Sequence, residues 1–430
     1  MRSASISQCA ILVGGLASRL GSLTASTPKA LQDCGGRPFL HWLIREFMRF
    51  GFNDFVLLAG HLSDEIEAAA ATIRNALPGR VQIRVSVEPF RAGTGGALYH
   101  ARDLLDPVFI LSNGDSLFDC NLATVLAAQA LDDDDVLGRM VLREVEDVGR
   151  FGIVEMSGER VTAFHERGSG AGSPSEVQGG RINSGLYVLR KRVIEQLAPH
   201  CSLEAEILPA LASRGTLRGT IGRGWFMDIG VPADLAVAQV AIPARLRRPA
   251  LFLDRDGVIN LDHGWVGTRE RFQWSTGALE AIRAATELGW HVFVVTNQSG
   301  VARGLYDEAA VHDLHRWILE QVHAAGGTID DWRYCPFHPE APLPAYRRAS
   351  GWRKPSPGML LDLMDAWELD PATCLMVGDQ ATDLAAAAAA GIAGHRFAGG
   401  DLAAFLMPLL TRHAQEHPVC APDIKAREEA

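Results

Sequence analysis

Two short segments constrain the fold of this 430-residue chain more than any other feature. Residues 9–20 read CAILVGGLASRL, and residues 249–260 read PALFLDRDGVIN. Each joins a brief apolar run to a loop rich in glycine or carboxylate. Such a run, too short for a helix and without helical spacing, is the pattern of a strand buried on both faces of a parallel sheet. In such sheets the loops at the carboxyl ends of the strands build the active site. Two of these openings, about 240 residues apart, predict two α/β domains in tandem. The expected boundaries are a first domain at 1–240, a linker at 241–248, a second domain at 249–412 and a polar tail at 413–430. The join carries Pro243, Pro249 and the basic residues Arg245, Arg247 and Arg248, and reads as a solvated linker.

Composition removes several classes of function. A hydrophobic fraction of 47% with 21% charged residues excludes a largely disordered chain. A net charge of −10 without a basic cluster argues against nucleic acid as a partner. No apolar stretch is long enough to span a membrane, and the first residues lack the apolar core of a signal peptide. Seven cysteines, an odd and sparse number, fit a reducing cytoplasm better than a disulfide framework.

In the first half, Ala10–Val13 leads into Gly14-Gly15-Leu16-Ala17-Ser18-Arg19-Leu20. Glycines let the backbone approach a phosphate, and a helix start then directs N–H groups at it. Arg19 and Lys29, the latter in Pro28-Lys29, add positive charge. A second tight loop, Gly93-Thr94-Gly95-Gly96-Ala97, opens a helix, and a strand at 108–111 ends in Asn113-Gly114-Asp115. Asp115 at a strand end is suited to Mg²⁺, and Asp228 in Asp228-Ile229-Gly230 offers a second carboxylate. Positioning and charge neutralisation suffice for in-line transfer between phosphates. Together with Asn183-Ser184-Gly185, this ordered set resembles the sugar-1-phosphate nucleotidyltransferase family over about residues 8–240. The chain departs from the family pattern at Ala17, usually Gly, and at Glu166-Arg167, usually Glu-Lys. The resemblance implies a Rossmann-like, GT-A-like domain that joins a nucleoside triphosphate to a sugar 1-phosphate. It assigns Val13, Gly14, Gly15, Arg19, Glu88, Gly93, Thr94, Gly95, Asn113 and Gly114 to the nucleotide side. Glu88, Glu166 and Asn183 are its sugar-side contacts. The 168–181 stretch, rich in Gly and Ser, reads as a flap.

In the second half, Asp254 and Asp256 follow a strand as Asp-Arg-Asp-Gly. The spacing suits a nucleophile that forms an aspartyl phosphate, Asp254, and an acid–base partner, Asp256. Thr296 ends the next buried strand, Lys354 supplies a balancing cation, and Asp379 ends a third strand and completes a Mg²⁺ site with Asp254 and Asp256. This order resembles the haloacid-dehalogenase phosphatases over about 250–400. The strings LDHGWV, VVTNQSGVARG, YCPFHP and RKPSPGML are nearest to the branch acting on D-glycero-D-manno-heptose 1,7-bisphosphate and its histidinol phosphatase relative. The resemblance puts Asp262, His263, Gly264, Trp265, Asn297, Gln298, Ser299, Arg353 and Lys354 around the substrate. About 40 residues separate Asp256 from Thr296, too few for a full cap domain, so the site is nearly capless. Relatives often hold a structural Zn²⁺ near this loop. Here Cys335 occupies one ligand position, while Phe337, Ser350 and Trp352 replace the other three, so zinc is not expected and packing must hold the loop. Asp132–Asp135 reads as a solvated loop, Ala385–Ala390 as a helix packed on the sheet, and His312, His315 and His323 as a helix face without metal.

The resemblances together imply a fusion of two consecutive steps toward GDP-heptose. A heptose bisphosphate would be dephosphorylated at one site and joined to GTP at the other. Two alternatives stand at this point: a hexose-1-phosphate nucleotidyltransferase fused to a histidinol-phosphatase-like enzyme, or one domain serving as a catalytically dead binding module. The residues leave the nucleobase, the anomer and the oligomeric state open.

Overall fold

The computed structural model describes residues 6–15, 18–146, 153–165 and 179–416. The chain divides into two compact units, Met1–Ile242 and Pro243–Ala430.

In the first unit the strands are β1 (Gln8–Leu12), β2 (Asp54–Ala59), β3 (Gln82–Val87), β4 (Val108–Asn113), β5 (Ser116–Cys120), β6 (Gly138–Val145), β7 (Ile153–Ser157), β8 (Arg160–His165), β9 (Gly180–Arg190), β10 (Leu217–Ile221) and β11 (Gly224–Asp228). Nine of them form one sheet in the order β3-β2-β1-β4-β9-β6-β10-β8-β7. The first four run parallel, and β9 joins β4 antiparallel. The strand order reverses between β1 and β4, so the loops after these two strands face one crevice. One sheet face packs on the helices Gly93–His100 and Leu208–Arg214 through Leu98, Leu111, Met140, Leu208 and Leu211, all at 1% exposure or less. The remaining strands, β5 and β11, pair antiparallel in a separate ribbon with Asp228 opposite Ser116.

The second unit is a five-stranded parallel sheet built from β12 (Ala250–Leu253), β13 (His291–Asn297), β14 (Asp331–Cys335), β15 (Cys374–Gly378) and β16 (Ala393–Arg396). Its order is β14-β13-β12-β15-β16, the doubly wound arrangement, with its switch point between β12 and β15. All of β12 and β15, and β13 up to Thr296, are buried, as the uninterrupted apolar runs require. Helix Ala381–Ala390 buries Ala386, Ala387 and Ala390 and packs on β15 and β16. Methyl side chains let the helix lie close to the strands.

Two expectations need correction. The stretch read as a solvated linker is partly helical, because helix Pro232–Leu246 runs through Pro243. Arg248 is buried, and its Nη1 donates to the Gly289 carbonyl at 3.3 Å. The Asp132–Asp135 loop is also more than a solvated turn. Asp132 accepts from Arg139 Nε at 2.9 Å and Nη2 at 2.5 Å, which neutralises a fully buried guanidinium. The sequence pattern concealed this pair because its acid lies among four consecutive aspartates.

His312, His315 and His323 lie on helix Glu308–Ala324 with different surroundings. His315 stacks on Trp332 at 4.3 Å, His312 Nε2 is 3.1 Å from Tyr334 Oη, and His323 Nε2 is 3.2 Å from Thr328 Oγ1. Among the described residues the cysteines are unpaired, and no helix is long and apolar enough to cross a membrane.

Candidate active sites

In the first unit, the ends of β1 and β4 and the far end of β11 converge. Lys29 Nζ lies 2.5 Å from Asp115 Oδ2. Ser116 Oγ is 3.2 Å from Asp115 Oδ1 and 3.1 Å from Asp228 Oδ2, so one hydroxyl ties the two carboxylates together. The Gly230 amide donates to Asp228 Oδ1 at 2.5 Å. A Cβ on Gly230 would stand 3.3 Å from Arg19 Nη2 and 3.4 Å from Lys29 Nζ, so both cations crowd the same point. Burial raises the Asp228 carboxyl above its usual range; neighbouring Asp115 adds to the rise and Lys29 opposes it. Two hard oxygen donors facing one crevice are suited to a divalent cation such as Mg²⁺.

The glycine loops behave differently from the expectation. After Gly15 the chain enters a 3₁₀ segment, Ser18–Thr24, kinked at Gly21, in place of an α-helix start. Leu16 and Ala17 lie outside the described residues, as do Glu166, Arg167 and most of the 168–181 stretch. The Val13 amide donates to Leu58 O and the Gly114 amide to Leu12 O, both at 2.9 Å, so neither is free for a phosphate. A Cβ on Gly114 would meet Leu12 O at 2.4 Å, which makes its glycine a packing requirement. Gly14 is likewise pressed on the Gly60 backbone, while a Cβ on exposed Gly15 would meet nothing within 4 Å. In the second loop, the Gly95 and Gly96 amides both donate to Cys201 O at 3.1 Å. Thr94 Oγ1 lies 2.5 Å from Glu204 Oε2 and accepts from the Leu203 amide at 2.9 Å. A Cβ on Gly93, at φ +78°, would collide with Cys201 O. This loop is therefore tied down by its own chain. Glu88 lies over Gly60 and accepts from the Ala92 amide at 3.1 Å; burial raises its carboxyl. Asn183 sits where β9 bulges against β6, donating to Tyr187 Oη at 2.6 Å, and Gly185 packs on the Asn113 side chain.

In the second unit, Asp254 follows β12 and Asp379 follows β15, directly at the switch point. Lys354 Nζ lies 2.8 Å from Asp254 Oδ1, 2.7 Å from Asp383 Oδ1 and 2.9 Å from the Val295 carbonyl. Burial pushes the Asp254 carboxyl up to about 7; the Lys354 ammonium opposes the rise and Asp383 adds to it. Burial alone would lower the Lys354 ammonium, but its two carboxylates outweigh this and raise it. Oxygens of Asp254, Asp379 and Asp383 lie within 4.8 Å of one another. Asp379 Oδ1 is buried without a hydrogen-bond partner among the described residues, the signature of a group awaiting a cation. Three hard carboxylates with an orphaned oxygen fit Mg²⁺. A Cβ on Gly257, at φ +86°, would lie 2.5 Å from Asp379 Oδ2, so glycine is needed for this approach.

Asp383 is the residue that sequence reading did not place in the cluster. It sits in the first turn of helix Ala381–Ala390, and its Oδ2 accepts the Gln380 amide at 2.9 Å. Its four-residue spacing from Asp379 was the available signal. The Asp256 carboxylate, expected among the metal ligands, stands outside the cluster. It accepts from Arg255 Nη2 and Gln298 Nε2 at 2.9 Å each and from Asn260 Nδ2 at 3.0 Å. Thr296 is buried, with Gln298 Nε2 2.8 Å from its Oγ1. Asn297 and Lys354 hydrogen-bond reciprocally at 3.1 Å, side chain to backbone. Asn297 and Gln298 thus hold Lys354, Asp256 and Thr296 in position, and Ser299 begins the next short helix.

Around this centre, Asp262 Oδ1 caps the Gly264 amide at 2.8 Å, and Arg271 Nη2 donates to the carbonyls of His263 and Gly264 at 2.9 Å. Trp265 has φ +51° and is 51% exposed beneath the Arg303 guanidinium, 5.5 Å from its ring centroid. Arg353 is half-buried, and its Nη1 has no hydrogen-bond partner among the described residues. The 335–353 loop is held by Phe337 against Tyr346, by Arg348 at 3.7 Å over Phe337 and by Tyr346 Oη at 3.0 Å from Glu308 Oε1. Trp352, which stands at another of the replaced ligand positions, is 37% exposed.

A family model described as nucleotidyl transferase matches residues 9–245. The chain belongs to the nucleotidyl transferase family. Its other half matches a model described as HAD-hydrolase-like over residues 351–403. It is 52% identical over 164 residues to D-glycero-beta-D-manno-heptose-1,7-bisphosphate 7-phosphatase of Rhodopseudomonas palustris, spanning 38% of this chain and 91% of that protein. The second half of this nucleotidyl transferase is thus also a member of that phosphatase family. The Escherichia coli K12 protein of the same name is 42% identical over 144 residues, 34% of this chain and 75% of that protein. Among solved structures, HddC from Yersinia pseudotuberculosis is 28% identical, covering 54% of this chain and 98% of that one, with TM-score 0.47. The D,D-heptose 1,7-bisphosphate phosphatase from B. bronchiseptica, complexed with magnesium and phosphate, is 33% identical, covering 38% of this chain and 99% of that one, with TM-score 0.35.

Proposed function

We propose that the chain is a bifunctional enzyme that removes the 7-phosphate of D-glycero-D-manno-heptose 1,7-bisphosphate and then joins the heptose 1-phosphate to a nucleotide. GTP is the donor implied by the resemblance, giving GDP-heptose and pyrophosphate. The observation that carries the reading is one chain holding both the Asp115/Asp228 pair and the Asp254/Asp379/Asp383 cluster, the second in a segment 52% identical to a heptose bisphosphate phosphatase. The same two sets of carboxylates weigh against a dead domain.

In the phosphatase, Asp254 Oδ attacks the 7-phosphorus and the C7 oxygen leaves with a proton from Asp256. An aspartyl phosphate remains on Asp254. Asp256 then takes a proton from water as the water attacks phosphorus, releasing phosphate and restoring Asp254. Lys354 and Thr296 steady the charge on the transferring group, and Arg353 with the 262–266 loop meets the sugar. In the transferase, the sugar 1-phosphate oxygen attacks the α-phosphorus in line and pyrophosphate leaves. Arg19 and Lys29 offset the triphosphate charge, while Glu88, Asn183 and Glu166 orient the sugar. Asp115 and Asp228 in one site, and Asp254, Asp379 and Asp383 in the other, would hold Mg²⁺, which would supply charge neutralisation. The cytoplasm, which supplies nucleoside triphosphates, is the compartment we propose.

The relatives' names specify the β anomer, whereas the first half also resembles the nucleotidyltransferase branch that joins GTP to D-glycero-α-D-manno-heptose 1-phosphate. Two steps in series require one anomer, so both anomers are to be supplied in turn with GTP. Asp254→Asn should abolish phosphate release and spare nucleotide transfer. Transfer lost with phosphate release, in a folded variant, would reject independent sites.

A further inference from the structure

We propose that Arg143 is a binding residue for the phosphate of the sugar 1-phosphate at the transferase site. This deepens the transferase reading and rests on it. Arg143 lies on β6, where its partner on β9 is Ile182, the neighbour of Asn183. Its guanidinium carbon stands 5.2 Å from the ring centroid of Phe226. Phe226 is two residues before Asp228 on β11, so the two side chains project from the same face of that strand. Arg143 therefore sits beside both a strand carrying an acid-site residue and a strand carrying a sugar-side candidate.

The charge accounting is unusual. Several other partly or fully buried arginines of this unit have carboxylates or carbonyls to donate to: Arg139 has Asp132 and Glu159, Arg84 has Asp54, Arg49 has Glu46, and Arg102 and Arg218 reach the carbonyls of Tyr99 and Gly215 at 2.9 Å. Arg143, half-buried on the same strand as Arg139, has no carboxylate partner among the described residues. Burial alone lowers its pKa, with no neighbouring acid among the described residues to hold it up. The face of Phe226 compensates only part of the lost hydration. A guanidinium in this state is a ready donor for a phosphate, which it meets with two parallel N–H bonds. Lys29 and Arg19 crowd the Gly230 side of the acid pair. Arg143 supplies charge from the β6 side, as an attacking phosphate distinct from the triphosphate requires.

The test uses the full chain with Arg143→Met, which keeps bulk against Phe226, and Arg143→Lys, which keeps charge. Steady-state transfer is read as separate KM values for the sugar 1-phosphate and the triphosphate. Titration calorimetry reads binding of heptose 1-phosphate without turnover, and phosphate release serves as the control of the other activity. The expected result for Arg143→Met is a rise of about tenfold or more in KM and Kd for the sugar phosphate. The triphosphate KM stays within about twofold, and Arg143→Lys recovers part of the loss. Unchanged sugar-phosphate binding, or an equal rise in both KM values, would overturn the proposal. Wild-type protein that neither binds nor turns over a sugar 1-phosphate would instead reject the transferase reading itself.

Discussion

Lys354 Nζ lies 2.8 Å from Asp254 Oδ1, inside a site where both side chains are buried. The ammonium also holds Asp383, so one cation balances two carboxylates that would otherwise repel. Removing it should be costly in two ways. Lys354→Met should lower phosphate release by about 10²-fold or more, the scale for losing one preorganised electrostatic group. It should also destabilise this unit by about 3–5 kcal/mol, because two buried carboxylates lose their partner. Phosphate release and thermal melting measure the two effects, and nucleotide transfer should persist at temperatures where the variant is folded.

Asp379 Oδ1 has no hydrogen-bond partner among the described residues. Asp379→Asn should therefore leave melting in the absence of metal close to wild type. Its Mg²⁺ requirement for phosphate release should rise by about tenfold or more. A Mg²⁺ titration of activity checks this.

In the other unit, Ser116 joins Asp115 and Asp228. Asp228→Asn should abolish nucleotide transfer and spare phosphate release. Ser116→Ala should slow transfer by about tenfold, since a hydrogen bond to a charged group is worth about 1.5–3 kcal/mol. Parallel assays of both reactions on each variant provide the comparison.

Acid should destabilise the second unit. Burial lowers His323 to about 4, from an ordinary value near 6.5. The unfolded chain then takes up a proton below about pH 6.5 that the folded unit refuses. The contribution is complete above that pH and is lost as pH falls toward 4, at up to about 1.4 kcal/mol per pH unit. His323→Gln should flatten the fall in melting temperature between pH 7 and 5.

Aromatic and arginine contacts hold the 335–353 loop through Phe337, Tyr346, Arg348 and Glu308. A zinc-selective chelator should leave phosphate release in Mg²⁺ unchanged, whereas Glu308→Ala should raise the substrate KM about fivefold or more by freeing Tyr346.

Sequence alone exposed what repeats at strand ends: the apolar runs before Gly14, Asp115, Asp254 and Asp379, which set the two sheets and their switch points. It did not expose contacts made across the fold. Asp383 joins the acid cluster only because a helix turn brings it beside Lys354. Asn297 and Gln298 look like ligand contacts in a string, yet the structure turns them inward to hold Lys354, Thr296 and Asp256. The Gly95 amide looks free until Cys201, more than a hundred residues on, takes it. Asp132 reads as solvated until Arg139 reaches it. Each is a tertiary pairing that local pattern does not encode.

The most direct test of the account is a coupled reaction of the full chain with heptose 1,7-bisphosphate, GTP and Mg²⁺, each anomer in turn, followed for phosphate and nucleotide sugar. The account predicts phosphate release followed by GDP-heptose from one anomer. Phosphate release without GDP-heptose from either anomer would contradict it.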